Sequence, residues 1–256
     1  MAEVIKTEAL VLYTTRWHET SKIVHLFTEQ LGDIKVLAKG ALRPKSPFRG
    51  ILEALNHLEV IISLRETRGL QILSSATLFN AYMDIRENLS KTAIAFSILE
   101  LLKKFFQLHE PVQDFFHYVI RLLQNLNECQ HEFFKPFLWH FLLKLSEVLG
   151  FGWNFSTCLI CEKIPDHFPV FLDSHQGGII CGQCSSSGVI NTSDPLTRPQ
   201  WEFLDSLATF SPDDIDKLSE TKFNKQNNDI FTNVLLKHLS FHTETVVDLK
   251  SLKWYM

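Results

Sequence analysis

Four cysteines in two closely spaced pairs are the residues of this sequence best suited to bind a metal ion. The pairs are Cys158-Leu-Ile-Cys161 and Cys181-Gly-Gln-Cys184, and 19 residues separate them. Two thiolates three positions apart on a tight turn can face one ion at a Zn–S distance of about 2.3 Å, and a second such turn completes a tetrahedron. The spacing therefore predicts one structural Zn²⁺ with no position left for a reactive water.

Other uses of four cysteines fit the sequence less well. Disulfides are disfavoured in the cytosol. A thioredoxin-like motif needs one Cys-x-x-Cys pair at a helix start in a βαβ unit, and this sequence shows no such pattern. An iron–sulfur cluster stays open as an alternative, although paired spacing favours zinc. His167 and His175 lie between the pairs and could replace a thiolate, but exposed loop histidines are the more frequent case.

A run of cations near the N-terminus is the second chemically suggestive feature. Five basic residues fall within fifteen positions, with no acid between Asp33 and Glu53: Lys35, Lys39, Arg43, Lys45 and Arg49. Phe48 in the same segment could stack on a base, and Arg16 and Lys22 could extend the patch from the preceding turn. Such a surface binds nucleic acid through phosphate charge and base stacking. A solvated loop is an equally good explanation from the residues alone.

The distribution of charge supports a local patch and not a uniformly basic protein. The formal net charge is −4 over 256 residues. Residues 1–80 hold ten Lys/Arg and eight Asp/Glu, a balance of +2, which leaves −6 for the remainder. A local patch still attracts phosphates, because screening limits the influence of distant charges to about 8–10 Å.

Short β-type segments must position these cations. Runs rich in β-forming residues predict five strands at 4–14, 22–28, 33–39, 57–64 and 69–76. The segment Gly40–Gly50 contains two prolines and two glycines, so it is predicted to be a loop between the third and fourth strands. Five strands in about 80 residues favour a barrel of the oligonucleotide-binding (OB) type, with an SH3-like barrel as the alternative.

Helical periodicity dominates the rest of the chain. Apolar residues recur at three- and four-residue steps in 93–106, and similar patterns follow. The predicted fold class is α+β, with an inserted cysteine module. The predicted domains are an OB domain at 1–80, a first helical part at 81–150, the zinc module at 151–190 and a second helical part at 191–256.

Several classes of function find no support in the sequence. No apolar stretch approaches the ~20 residues needed to cross a bilayer, and the first residues lack the pattern of a signal peptide, which predicts a cytoplasmic protein. No Walker-type phosphate loop or recognisable catalytic motif is present, so a non-enzymatic protein is expected.

The order of these motifs resembles the bacterial DNA repair and recombination protein RecO family. The resemblance rests on stretches in the predicted first two strands, on Lys39-Gly-Ala-Leu-Arg43, on Leu149-Gly-Phe, on the cysteine pairs and on Leu249-Lys-Ser-Leu252. It covers nearly the whole chain. Leu42-Arg43 departs from the two arginines that family members often carry there, so a phosphate contact could be weaker or displaced.

The resemblance implies a recombination mediator that is not an enzyme. Such proteins bind single- and double-stranded DNA, anneal complementary strands, and help load RecA onto DNA coated by single-strand-binding protein. RecR and the C-terminal tail of single-strand-binding protein are the implied partners, and nucleoid association is the implied location. Lys103, Lys104 and Arg121 are candidates for the rim of a cleft that takes that tail. The alternative is a zinc-containing protein–protein adaptor without direct DNA binding.

Overall fold

The chain folds into two compact units. The computed structural model describes residues 3–65, 67–106, 112–130, 132–185, 195–215 and 225–254. The N-terminal unit comprises Met1–Glu128 together with Lys250–Met256, and the C-terminal unit comprises Cys129–Leu249. The last residues of the chain therefore belong to the same unit as the first.

A closed five-stranded barrel forms the first part of the N-terminal unit. Its strands run in the order β1-β2-β3-β5-β4 around the barrel, with β3 and β5 parallel and the other neighbours antiparallel. This arrangement confirms the predicted OB-type fold. The strands are β1 (Glu3–Trp17), β2 (Ser21–Thr28), β3 (Gly32–Ala38), β4 (His57–Leu64) and β5 (Gln71–Asn80).

The length of β1 lets one strand close the barrel from both sides. Its first half pairs with β4 and its second half pairs with β2, and the register shifts between Val11 and Tyr13. The strand continues past the predicted end at residue 14, because Thr15, Arg16 and Trp17 pair with the start of β2. A bulge bends a strand in this way and increases its twist.

The loop between β3 and β4 packs into the barrel core. Phe48 is 7 % exposed, and Leu52 and Leu55 are fully buried. Asn56 donates from Nδ2 to the Ile51 carbonyl at 2.7 Å, which closes the loop on itself. Apolar side chains therefore anchor the basic segment to the barrel.

The described residues that follow the barrel form the helices α1 (Met83–Glu87), α2 (Leu89–Phe105) and α3 (Gln113–Glu128). Asn88 caps α2, because its side chain accepts from the backbone N–H groups of Ser90 and Lys91. Phe27 on β2 contacts Phe115 and Phe116 of α3, so these helices pack on the outside of the barrel.

The end of the chain is attached to α2. Glu100 accepts hydrogen bonds from the backbone N–H groups of Lys250 and Ser251, both at 2.9 Å. A 3-10 helix, Ser251–Trp254, follows directly. A carboxylate at the start of a helical turn satisfies N–H groups that have no partner within the turn.

Helices surround a small sheet in the C-terminal unit. The sheet has the order β6-β8-β7-β9. Trp139 lies on the helix Lys135–Val148 and is fully buried. Its Nε1 donates to Thr232, on the helix Lys225–His242, at 2.8 Å. The elements are α4 (Lys135–Val148), β6 (Asn154–Cys158), β7 (Val170–Asp173), β8 (Gly178–Ile180), α5 (Gly182–Ser185), β9 (Pro195–Leu196), α6 (Arg198–Thr209) and α7 (Lys225–His242).

The helical region and the four-cysteine group of the predicted fold class are confirmed. The predicted domain boundaries stay a prediction, and the one at residue 190 lies outside the described residues. None of the described helices has the length and apolar character that a membrane span requires.

Candidate metal centre and nucleic-acid interface

Two backbone turns bring the four cysteines together. Cys158 ends β6, and the turn after it is closed by a hydrogen bond from the Glu162 N–H to the Cys158 carbonyl at 2.9 Å. Cys181 follows β8, and Cys184 lies on the short helix α5. The Sγ atoms of the four cysteines all lie within 4.8 Å of one another. This geometry confirms that the two pairs form one group able to hold a metal ion.

Two glycines allow the strands beneath these turns to approach closely. A Cβ atom at Gly178 would lie 2.7 Å from Cδ2 of Leu159, which follows the first cysteine. Gly177 has φ +67°, and a Cβ there would lie 2.7 Å from Cε1 of His238. A side chain at Gly178 would displace Leu159 in the first turn, and one at Gly177 would displace His238 on α7, because real Cβ atoms do not make such short contacts.

The protein backbone favours a thiolate at Cys158. The side chain is buried, which raises the thiol pKa, but backbone N–H groups of Cys161, Cys181 and Ile160 donate to its sulfur and lower the pKa to about 6. The hydrogen bond with the Cys181 thiol raises the pKa of Cys184. Four sulfurs this close cannot all carry charge without a cation, so the donor set fits a thiolate-bound metal ion.

Histidine does not join this group. His167 and His175 are exposed, and neither belongs to the cluster of potential metal ligands found among the described residues. The His167 ring lies 3.8 Å from the Asp166 carboxylate. The geometry thus supports a ligand set of four sulfurs.

Most of the predicted DNA-binding cations project into solvent. Lys35 is exposed on β3, and Arg16 is exposed near the end of β1. The remaining exposed cations lie on the loop between β3 and β4: Lys39, Arg43, Lys45 and Arg49. Arg49 donates to the Pro44 carbonyl at 3.4 Å, which keeps its guanidinium close to the loop.

Hydrogen bonds tie the basic loop to the turn between β1 and β2. The Leu42 N–H donates to the Thr20 carbonyl at 2.8 Å, and the Gly40 N–H donates to Ser21 Oγ at 3.3 Å. The segment around Lys39 and Arg43 therefore lies beside the turn that follows Arg16. The structure brings these cations to one end of the barrel.

Lys22 differs from the other six candidates. Its Nζ atom lies 3.0 Å from a carboxylate oxygen of Glu53 and 3.4 Å from the Leu52 carbonyl. Its side chain is only 19 % exposed. Lys22 thus links β2 to the loop, and the carboxylate of Glu53 already offsets its charge.

The prediction that Phe48 stacks on a base is wrong. Phe48 lies in the barrel core with 7 % of its surface exposed, because the loop needs an apolar anchor. The exposed aromatic residue at this end is Trp17, which is 43 % exposed. Trp17 was not singled out from the sequence, since exposure at a strand end is not visible from residue type.

Two further cations lie in the loop between β4 and β5. Arg65 is exposed and Arg68 is half-buried. Neither residue was among the cations predicted to bind DNA. In OB folds the loop between the fourth and fifth strands commonly lines the nucleic-acid groove. The predicted strand order could therefore have identified Arg65 and Arg68 as candidate DNA-binding residues.

Comparison with known proteins agrees with this architecture. Residues 1–82 match the family model described as Recombination protein O N terminal, and residues 86–253 match the one described as Recombination protein O C terminal. The chain belongs to the Recombination protein O family. This membership confirms the resemblance to RecO and gives the chain a role in DNA repair and recombination.

Similar proteins named DNA repair protein RecO occur in several bacteria. The protein from Caldicellulosiruptor saccharolyticus is 23 % identical over 92 % of this chain and 91 % of its own length. That from Chlorobium phaeobacteroides is 26 % identical, with 93 % and 92 % covered. That from Bacillus cereus is 30 % identical, with 70 % and 69 % covered. The likeness to RecO proteins thus extends over both units.

Proposed function

We propose that the chain is a non-enzymatic recombination mediator that binds DNA through its barrel and anneals complementary strands. In this role it assists the loading of RecA onto DNA coated by single-strand-binding protein. Its proposed partners are single- and double-stranded DNA, RecR and the C-terminal tail of single-strand-binding protein. A location in the cytoplasm at the nucleoid belongs to the same proposal.

The observation that carries this proposal is the fixed position of the basic loop. Its apolar residues are buried in the barrel, its cations remain exposed, and its backbone is hydrogen-bonded to Thr20 and Ser21 in the turn that follows Trp17. Rigid support reduces the entropy lost when a charged side chain binds a phosphate. The exposed indole of Trp17, at the end of β1, adds a stacking surface that accepts any base, as expected for binding without sequence preference.

We also propose that the four-cysteine group holds one structural Zn²⁺. A closed set of four sulfur ligands matches the preference of zinc and leaves no ligand position for substrate. The ion would fix the turns after Cys158 and Cys181, and the protein would need no metal chemistry for strand annealing.

Charge reversal on the loop tests the DNA-binding surface. The variant Lys39→Glu/Arg43→Glu/Lys45→Glu should bind a fluorescein-labelled oligothymidylate about 100-fold more weakly, because it loses three charge-assisted contacts. The salt slope, meaning the slope of the logarithm of the binding constant against the logarithm of the NaCl concentration, should also change. With five phosphate contacts in the wild type it should be about −3.5, and with two left in the variant about −1.4. Fluorescence anisotropy over a range of NaCl concentrations measures both quantities.

A matched variant separates a specific surface from a change in total charge. Lys144→Glu/Lys163→Glu/Lys237→Glu alters the net charge by the same amount on the C-terminal unit. It should retain nearly the wild-type affinity and salt slope. Equal losses in both variants, or an unchanged affinity in the loop variant, would show that the proposed surface is wrong.

The alternative adaptor function makes a different prediction. An adaptor would bind RecR or the tail of single-strand-binding protein while showing no affinity for oligonucleotides at low salt. Annealing of complementary strands coated with single-strand-binding protein distinguishes the two, since only a mediator accelerates it. Trp17→Ala should slow annealing and weaken oligonucleotide binding about tenfold, the loss of one stacked base.

A further inference from the structure

A pair of aromatic side chains lies on the outer face of the barrel. Tyr13 on β1 is directly opposite His25 on β2. Their ring centroids are 3.9 Å apart, and the Tyr13 hydroxyl is 2.7 Å from His25 Nε2. Neighbouring residues Val24 and Leu26 point into the core, so strand alternation directs the pair outward.

Two lysines flank this aromatic pair. Lys103, in the last turn of α2, places its Nζ atom 4.0 Å from the centroid of the Tyr13 ring. Lys35 on β3 is opposite His25 in the strand register. A cation over an aromatic face is attracted by the ring, and a helix C-terminus favours a lysine, so both effects hold Lys103 in place.

The charges around the pair are predominantly positive. Lys35 and Lys103 are exposed, and neither forms a salt bridge with a described residue. His25 is buried, and its pKa is lowered to about 4 by that burial and by the two lysines. Its ring is therefore neutral at pH 7. Burial and the neighbouring carboxylate of Asp33 raise the pKa of Tyr13.

The same face leads to the exposed indole at the end of β1. Strand pairing places Thr15 opposite Ile23, and Trp17 opposite Ser21, on the outward side of the sheet. Trp17 is four residues beyond Tyr13, which corresponds to about 13 Å along the strand. Lys35 and Lys103 thus lie at one end of an outer strip whose other end is a stacking surface.

We propose that Lys35 and Lys103, with the Tyr13–His25 pair between them, bind a backbone phosphate of the single strand that stacks on Trp17. The ligand chemistry is a phosphodiester, and α2 thereby contributes to the nucleic-acid path. This inference rests on the proposed DNA-binding function. A nucleic acid strand supplies both an anion for the lysines and a base for the indole, whereas an acidic peptide supplies only the anion.

The variant Lys103→Gln tests this subsite in the full-length protein. It should weaken binding of a fluorescein-labelled oligothymidylate about five- to tenfold, the effect of one charge-assisted contact. It should also make the salt slope shallower by about 0.7. Lys103→Arg should keep both values near those of the wild type, because it preserves the charge over the ring.

Lys6→Gln is the matched control. Lys6 lies on the same barrel, where it pairs with Glu59 at 3.0 Å in the half of β1 that faces β4. Its loss changes the net charge equally and should leave the salt slope unchanged. Thermal unfolding of each variant by circular dichroism should confirm that all remain folded, since both lysines are exposed.

The possible outcomes separate this inference from the function on which it rests. If Lys103→Gln binds oligothymidylate with the wild-type slope while the loop variant loses binding, the subsite is wrong and the function stands. If the wild type itself binds no oligothymidylate at low salt, both fail. If Lys103→Gln weakens only a fluorescein-labelled tetra-aspartate peptide, the site takes an acidic peptide and the inference is overturned.

Discussion

The four-cysteine centre and the outer face of the barrel each contain a titratable group with a lowered pKa, yet the consequences for charge are opposite. Burial raises the pKa of the Cys158 thiol, but backbone hydrogen bonds lower it to about 6, so Cys158 is largely a thiolate at neutral pH. Burial and two lysines lower the pKa of His25 to about 4, so the group is neutral. The first region gathers negative charge for a cation, and the second leaves its lysines free to attract an anion.

The two regions also differ in how their groups are distributed. The cysteine sulfurs lie within 4.8 Å of one another, so the proposed Zn²⁺ would need all four to complete its ligand set. The barrel cations are spread along a loop and a strand face, where each contributes a separate contact. Removing one cysteine should therefore abolish metal binding, whereas removing one barrel cation should only weaken nucleic-acid binding.

Loss of one cysteine should have the largest effect. Cys158→Ser removes a thiolate from the cage, so the bound metal should fall from one ion per chain to none. Structural zinc contributes about 10–16 kcal/mol in small zinc peptides, so a loss of at least about 5 kcal/mol is expected in this unit. Native mass spectrometry measures the metal content and chemical unfolding measures the stability.

His167→Gln serves as the control for this prediction, because His167 is exposed and lies between the cysteine pairs. It should keep the metal and the wild-type stability. A Cys158→Ser protein that still carries one tightly bound zinc would contradict the closed four-sulfur cage.

Removal of the loop's anchor should have the next largest effect. Phe48→Ala leaves a cavity in the barrel core and should lower the free energy of unfolding by about 3–5 kcal/mol. Urea denaturation followed by circular dichroism measures this loss. Lys45→Ala, at an exposed position of the same loop, should change stability by less than about 0.5 kcal/mol. Equal stability of both variants would show that the loop is not held by its apolar side.

The sequence was sufficient for the cysteine centre because its chemistry is local. Only two residues lie between the cysteines of each pair, which restricts the thiols to a tight turn. No long-range information is therefore needed to group Cys158 with Cys161. The pairing of both turns into one site followed from the preference of a metal ion for four ligands. Strand number and the OB-type fold were likewise predictable from alternation and turn residues.

The nucleic-acid face was less accessible to sequence analysis. Composition located the basic loop, but it could not show that Phe48 is buried, that Trp17 is exposed, or that Glu53 offsets Lys22. Those facts depend on contacts between residues distant in the chain. Lys103 is the clearest case. The sequence suggested it only for the rim of a cleft, and it lies 90 positions along the chain from Tyr13, whose ring its ammonium group contacts.

Acid should produce the smallest of these effects, and it tests the neutral state of His25. The pKa is about 4 in the folded protein and about 6.5 when unfolded, so the unfolded chain takes up a proton first as the pH falls. The contribution to stability is therefore complete above pH 6.5 and declines between pH 6.5 and 4. From pH 7 to pH 5 the loss should be about 1 kcal/mol, roughly half the full linkage value because solvent screens part of the site.

His25→Gln isolates this contribution, since glutamine does not titrate and the other histidines are common to both proteins. The difference in unfolding free energy between wild type and variant should shrink by about 1 kcal/mol on going from pH 7 to pH 5. Between pH 7.5 and 8.5 it should stay constant, because His25 is neutral in both the folded and unfolded states there. A difference that instead grows on acidification would mean that His25 is protonated when folded. Lys35 and Lys103 would then not be facing the ring as the structure places them.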